Sequence, residues 1–258
     1  MESVPTRESI RTRQMSKKQT VLAMLALAMC GVRPLGAQDA ARATPDTVPD
    51  SRTAAWLVPG VPDTVRVLVE ASYTADSDRA KKLLKEAEVQ ARSAVEGHED
   101  DVGRRFALAV VLGLRASREG GRTKVLAASA LYKELQAILA LDPENARARH
   151  MLGRLQAGVL RMSRVTRWIA TNLLGGGELK KANWKEAESN LVFAEEHAPE
   201  VSDHHLQLAY LYRDTERPEL ALREVSHVLA LPAVSPMEKE VRAEALRLQE
   251  RLKDRAGG

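Results

Sequence analysis

The feature that most constrains this chain is a recurring frame of about 34 residues. In two copies a proline closes a Leu/Ala-rich segment, and Leu followed by a small residue comes nine and ten residues later. Leu131, Leu135, Ile138, Leu139 and Leu141 lead to Pro143, and Leu152-Gly153 follows. Ala187, Leu191 and Ala194 lead to Pro199, and Leu208-Ala209 follows. Ala221, Val225 and Val228 lead to Pro232, while a degenerate earlier copy sets Ala87, Ala91 and Ala94 before Leu108-Ala109. Small residues let neighbouring helices approach, Leu and Val fill the seam between them, and proline stops each second helix. No such pair buries its apolar face alone, so the pairs must stack. The expected fold is all-α: a tetratricopeptide-like superhelix, a short solenoid of helix pairs. Trp is absent from the usual first-helix slots, where Arg105, Arg149 and His205 stand.

Composition supports helices over strands. Aromatics total nine (3 Trp, 4 Tyr, 2 Phe) and there are three Ile, whereas strands favour β-branched and aromatic side chains. A single cysteine, Cys30, excludes a disulfide scaffold. The net charge of +4 comes from the first 37 residues, which hold six basic and two acidic groups. Removing them from totals of 39 basic and 35 acidic groups leaves 33 of each, so no nucleic-acid footprint is expected.

The leader reads as an export signal. Lys17 and Lys18 precede an apolar stretch from Thr20 to Cys30, and Gly36-Ala37 supply a cleavage site. Met15 is an alternative start, and residues 1–14 then lie ahead of the translated chain. Leu27-Ala28-Met29-Cys30 offers a second reading as a lipidation box, with the large Met29 where a small residue is normal. The expected organisation is a signal peptide at 1–37, a Pro-rich linker at 38–77, and a repeat domain at 78–255. Such a chain would act in the periplasm or cell envelope. Pro45, Pro49, Pro59 and Pro62 mark the linker. Within it Val65, Val67 and Val69 alternate with Thr64, Arg66 and Leu68, which suggests a strand, with helix as the alternative.

From Asp78 onward the period is helical, with helices expected at about 78–96, 101–117, 123–141, 145–163, 183–197, 203–214, 217–230 and 236–254. Two insertions stretch the frame. One, near 117–122, holds Gly120-Gly121; the other, about 164–182, holds Arg167-Trp168-Ile169-Ala170 and Gly175-Gly176-Gly177. Insertions in a repeat array decorate one face, often a binding face.

These segments together resemble the regulator of microtubule dynamics family over residues 80–254. The likeness rests on His150-Met151-Leu152-Gly153-Arg154; on Arg167, Ile169, Ala170, Leu174 and Gly175; and on Ala187, Ala194, Glu195 and Pro199. It continues in Leu112-Gly113, Gly121 and Lys124, and in Leu231-Pro232 with Glu244-Ala245. The resemblance implies tetratricopeptide-like repeats and a protein associated with microtubules or membrane contacts, whose repeat domain can hold phospholipid. An exported chain would meet no microtubule, so the likeness carries fold further than biology.

Signatures of catalysis are missing. No Gly-Lys-Ser/Thr loop, Gly-x-Gly-x-x-Gly, Gly-x-Ser-x-Gly or Ser-x-x-Lys occurs. Gly175-Gly176-Gly177 reads as a flexible connector, with no strand before it to build a phosphate cradle. His204 and His205 are adjacent and so point about 100° apart on a helix. With no His-x-x-x-His spacing, no metal is expected, and no cofactor.

Tetratricopeptide arrays bind peptides in a concave groove lined by first helices. On helix 145–163, Arg147, His150, Arg154 and Arg161 share a face, and Arg147, His150 and Arg154 take groove-facing register positions. The next repeat places Asp203, Leu206, Tyr210 and Arg213 there. These groups form either a solvated face of weak ion pairs or a clamp for an anion. Trp168 and Trp184 flank the long insertion and are expected to pack it onto the array. The sequence thus points to a non-catalytic exported scaffold that binds a protein or peptide partner through its groove. The alternative is a phospholipid or apolar-ligand carrier with an Arg-lined headgroup site.

Overall fold

Five of the described helices start where the sequence supplies a side-chain cap. The side chain of Asp76 accepts from the backbone N–H groups of Asp78 and Arg79, Asp101 from Arg104, Asn145 from Ala148, Ser163 from Thr166 and Asn183 from Glu186. Each cap satisfies donors that the first turn leaves without intrahelical partners. The structure, a computed structural model, describes residues 62–234 and 236–256. Among them are α1 (Asp63–Thr74), α2 (Ser77–Val95), α3 (Val102–Arg118), α4 (Gly121–Leu141), α5 (Ala146–Leu160) and α6 (Arg164–Asn172). A 3-10 turn (Gly177–Lys181) follows, then α7 (Trp184–His197), α8 (Ser202–Asp214), α9 (Pro218–Ala230) and α10 (Pro236–Ala256). No strand occurs among the described residues. None of these helices is long and apolar enough to cross a membrane.

The helices pack as successive antiparallel pairs: α1 with α2, α3 with α4, α5 with α7, and α8 with α9, with α10 closing the array against the last pair. This is an α-α helical repeat superhelix. All eight helices expected from the periodicity are present, with ends shifted by a few residues.

Residues 63–74 differ from the preferred strand reading. Val65, Val69 and Ser72 are fully buried while Val67 is 54% exposed, a spacing of four and three that only a helix produces. Among the described residues the array therefore starts at Asp63, inside the stretch expected to be linker. The signal peptide, Cys30 and residues 38–61 lie outside the described residues.

Two cores divide the array. One runs from Val65 and Val69 through Leu84, Leu112 and Ile138 to Leu152 and Leu155 of α5, and takes in Ala170 and Leu179 of the long insertion. The other joins Ala157 of α5 to Leu191 of α7, Leu206 and Leu211 of α8, Val225 of α9 and Leu248 of α10. Helix α5 is shared by both. Its Gly153 sits where α7 comes closest: a Cβ there would meet the Ala187 carbonyl oxygen at 2.8 Å and Leu191 Cγ at 2.8 Å.

The long insertion runs between the two helices of the third pair. It forms α6 and the 3-10 turn, packed against α4. Its glycine run is not the loose connector expected. Gly175 has φ +90°, and a Cβ on Gly176 would meet the Ala170 carbonyl oxygen at 2.7 Å and Val125 Cγ1 at 2.8 Å. The turn is glycine because the backbone itself packs there.

Candidate functional site

The first-helix face of α5 meets that of α8, and the seam between them holds most of the expected groove residues. Asp203 is its centre. One carboxylate oxygen lies 3.0 Å from Arg154 Nη1 and 3.2 Å from His150 Nε2, and the other accepts from Gln207 Nε2 at 3.0 Å. Burial alone would raise the Asp203 carboxyl, but the Arg154 charge and the His150 contact outweigh it and hold it well below the usual carboxylate range. The His150 and His204 rings lie 4.5 Å apart. Burial, with the His150 charge beside it, lowers His204 to about 4, so this imidazole is neutral at physiological pH.

The outer end of the seam is built alike. Arg161 and Arg213 both hold Asp214. Their guanidinium groups flank the Tyr210 ring at 5.8 Å and 4.9 Å, close enough for cation–π attraction. The Tyr210 hydroxyl donates to Glu244 of α10 at 2.9 Å. Burial and the Glu244 charge push that phenol up to about 12.

Arg154 and Arg161 are therefore matched by Asp203 and Asp214 across the seam, while Arg213 pairs with Asp214 within α8 and Glu244 stands beside them. The structure brings His150, Arg154, Arg161, Tyr210 and Arg213 together, the first four as inter-helix ties and Arg213 as a partner of its neighbour Asp214. Arg147 stands apart: it is exposed and makes no ion pair with a described residue.

The two tryptophans differ. Trp184 is half-buried against the second core. Trp168 is 57% exposed, and Val165 and Leu173 of the same insertion are exposed beside it. Trp168 lines a cleft of about 440 Å³, open to solvent, together with Leu160, Arg164, Arg167, Leu179 and Lys180. Three cations thus surround an apolar floor. Buried Ala170 anchors the opposite side of α6, and buried Thr171 lines the cleft beside Trp168.

The profile of regulator of microtubule dynamics protein 1-3 matches residues 63–253. The chain belongs to the regulator of microtubule dynamics family. No curated protein matches it. The match starts at the first residue of α1, so the family's unit includes the helix that the valine alternation obscured. Within this family member, the His150–Arg154 segment that carried the likeness is architectural. His150 and Arg154 hold Asp203 of the next pair, and Gly153 admits α7.

One cluster escaped the sequence reading. His205 of α8 meets Glu224 and His227 of α9, and all three ligand atoms lie within 4.8 Å of one another. Adjacency with His204 drew attention to the wrong pair, since the two rings point to opposite neighbours. The available signal was Glu224-x-x-His227, which places a carboxylate and an imidazole on one helix face.

Proposed function

We propose that this family member is a non-catalytic scaffold that docks a protein or peptide partner on the cleft and exposed edge of α6. The observation that carries this reading is Trp168, more than half exposed on a helix clamped from behind and ringed by Arg164, Arg167 and Lys180. Trp and Arg are the residue types that dominate binding hot spots, and large apolar side chains left in water beside them favour an occupant. The cations select an acidic segment with an apolar anchor. The concave seam is the weaker candidate, because Arg154 and Arg161 already have carboxylate partners. There Arg147 is the group left to recruit an anion.

The reading of the leader as an export signal supports a role in the cell envelope, where a family name that refers to microtubules carries the helical scaffold and not the polymer. A second reading, an anionic phospholipid, draws on the same cleft: Arg164, Arg167 and Lys180 would face the headgroup and Leu160 and Leu179 the chain. The open side of the cleft favours a protein over an acyl chain, which would stay wetted along its length.

Site-specific photocrosslinking in native cells separates these readings. A photoreactive residue in place of Leu173 should yield one discrete protein adduct, and one in place of Arg147 should yield none. The reverse pattern would move the site to the concave groove, an adduct of lipid mass alone would support the carrier, and no adduct at either position would overturn the scaffold reading.

A further inference from the structure

We propose that His205, Glu224 and His227 form a binding site for a borderline divalent cation of the zinc class, bridging α8 and α9 away from the α6 cleft. Glu224 Oε2 lies 2.9 Å from His205 Nδ1 and 3.3 Å from His227 Nδ1. A tetrahedral zinc ion with bonds of about 2.0–2.1 Å sets its ligand atoms roughly 3.3 Å apart. The Glu224–His227 separation already has that value, and the Glu224–His205 separation needs to open by a few tenths of an ångström.

The surroundings match a metal site beyond its first ligands. His205 Nε2 lies 2.9 Å from the Pro199 carbonyl oxygen. An imidazole that binds metal through one nitrogen commonly donates its other N–H to a backbone carbonyl, which fixes both tautomer and ring orientation. In the metal-free chain His205 Nδ1 faces the Glu224 carboxylate, and a proton on that nitrogen would donate to Oε2. The cation replaces the Nδ1 proton. The other oxygen of Glu224 faces Arg223 Nε at 3.6 Å, which leaves Oε2 to the two imidazoles. Glu195 Oε1, 3.8 Å from His205 Nδ1, stands within reach as a fourth ligand from α7. His205 and Glu224 are buried and His227 is exposed, so the site has fixed walls and an entry side. Two imidazoles with one or two carboxylates select zinc, cobalt or nickel over calcium or magnesium. A cation here would cross-link three consecutive helices of the array.

The test uses the full chain, stripped with chelator. Zinc affinity is read by competition with a chromophoric chelator, and geometry by the visible bands of the cobalt(II) form. The wild-type chain should bind one equivalent and give the intense bands of four-coordinate cobalt. His227→Ala removes an exposed ligand and leaves the His205–Glu224 contact in place, so the metal-free variant should melt with the wild type. Its zinc affinity should fall by roughly 10–100-fold or more, since even second-shell losses reach that range. His98→Ala, at an exposed histidine far along the chain, should change nothing. Equal zinc affinity in the wild type and His227→Ala, or cobalt bands unchanged between them, would overturn the proposal. Loss of zinc binding leaves the α6 docking reading untouched, because the two sites share no residue.

Discussion

Two helical glycines predict opposite responses to the same substitution. Gly113 of α3 and Gly153 of α5 both lie within helices, where replacing Gly by Ala gains about 1 kcal/mol of helix propensity. At Gly113 the added methyl would lie 3.5 Å from Met151 Cε and 3.8 Å from Leu131 Cδ2, ordinary contacts with flexible side-chain ends. Gly113→Ala should therefore keep most of the gain, a stabilisation of about 0.5–1 kcal/mol. At Gly153 the methyl would lie 2.8 Å from a backbone oxygen and 2.8 Å from the branched carbon of Leu191. Neither can move without moving α7. Overpacking of this kind costs about 1–3 kcal/mol, which exceeds the propensity gain. Gly153→Ala should thus lose about 1–2 kcal/mol, and the two variants should differ by about 2–3 kcal/mol. Urea denaturation followed by far-UV circular dichroism reads both. At about 2–4 °C per kcal/mol for a chain of this size, thermal midpoints should separate by roughly 5–10 °C. A Gly153→Ala protein as stable as the wild type would refute the close α5–α7 approach, and with it the repeat seam as described.

Two electrostatic outcomes follow from the seam. The ring protons of His204 and His205 should titrate on opposite sides of 6.5: His204 near 4, because of burial, and His205 above, because Glu224 and the Pro199 carbonyl outweigh its burial. Stability linked to His204 should fall as pH drops from 6.5 toward 4, where the unfolded chain takes up a proton first; that linked to His205 is full below 6.5 and is lost as pH rises through its folded value. Two histidines titrating together near 6.5 in an NMR pH series would contradict this. Asp203→Asn should destabilise the fold by about 2–3 kcal/mol in urea denaturation at pH 7, since Arg154 and His150 lose their common acceptor. The gap between variant and wild type should close as pH falls below 3.8, the ordinary value beneath which Asp203 is held. A gap that stays constant with pH would show that the carboxylate charge is not what ties the pairs.

The repeat frame was legible because one chemistry sets it everywhere: Ala and Gly where helices touch, Leu between, Pro at the ends. The first helix was not, because seven residues of Thr-Val-Arg-Val-Leu-Val-Glu satisfy a two-residue and a four-residue spacing equally. Only burial of Val65 and Val69 against exposed Val67 separates them. The arginine stripe on α5 was readable as a stripe. Its partners Asp203 and Asp214 lie 49 and 53 residues away, and no local pattern announces which anion a cation will meet across a seam. The His205 cluster was hidden for the same reason: its members sit on two helices of a pair, joined only by packing.

The long insertion interrupts a helix hairpin and does not merely link two of them. Tension applied to a partner held at Trp168 would pass through Ser163 and Asn183 straight into the paired rods α5 and α7, prying that hairpin open from its tip. Peeling breaks contacts one row at a time, whereas sliding one pair past the next would break a whole row together. An attachment at Trp168, as proposed, would thus load this hairpin by peeling, and Gly153, midway down it, is where such a peel would first meet tight packing.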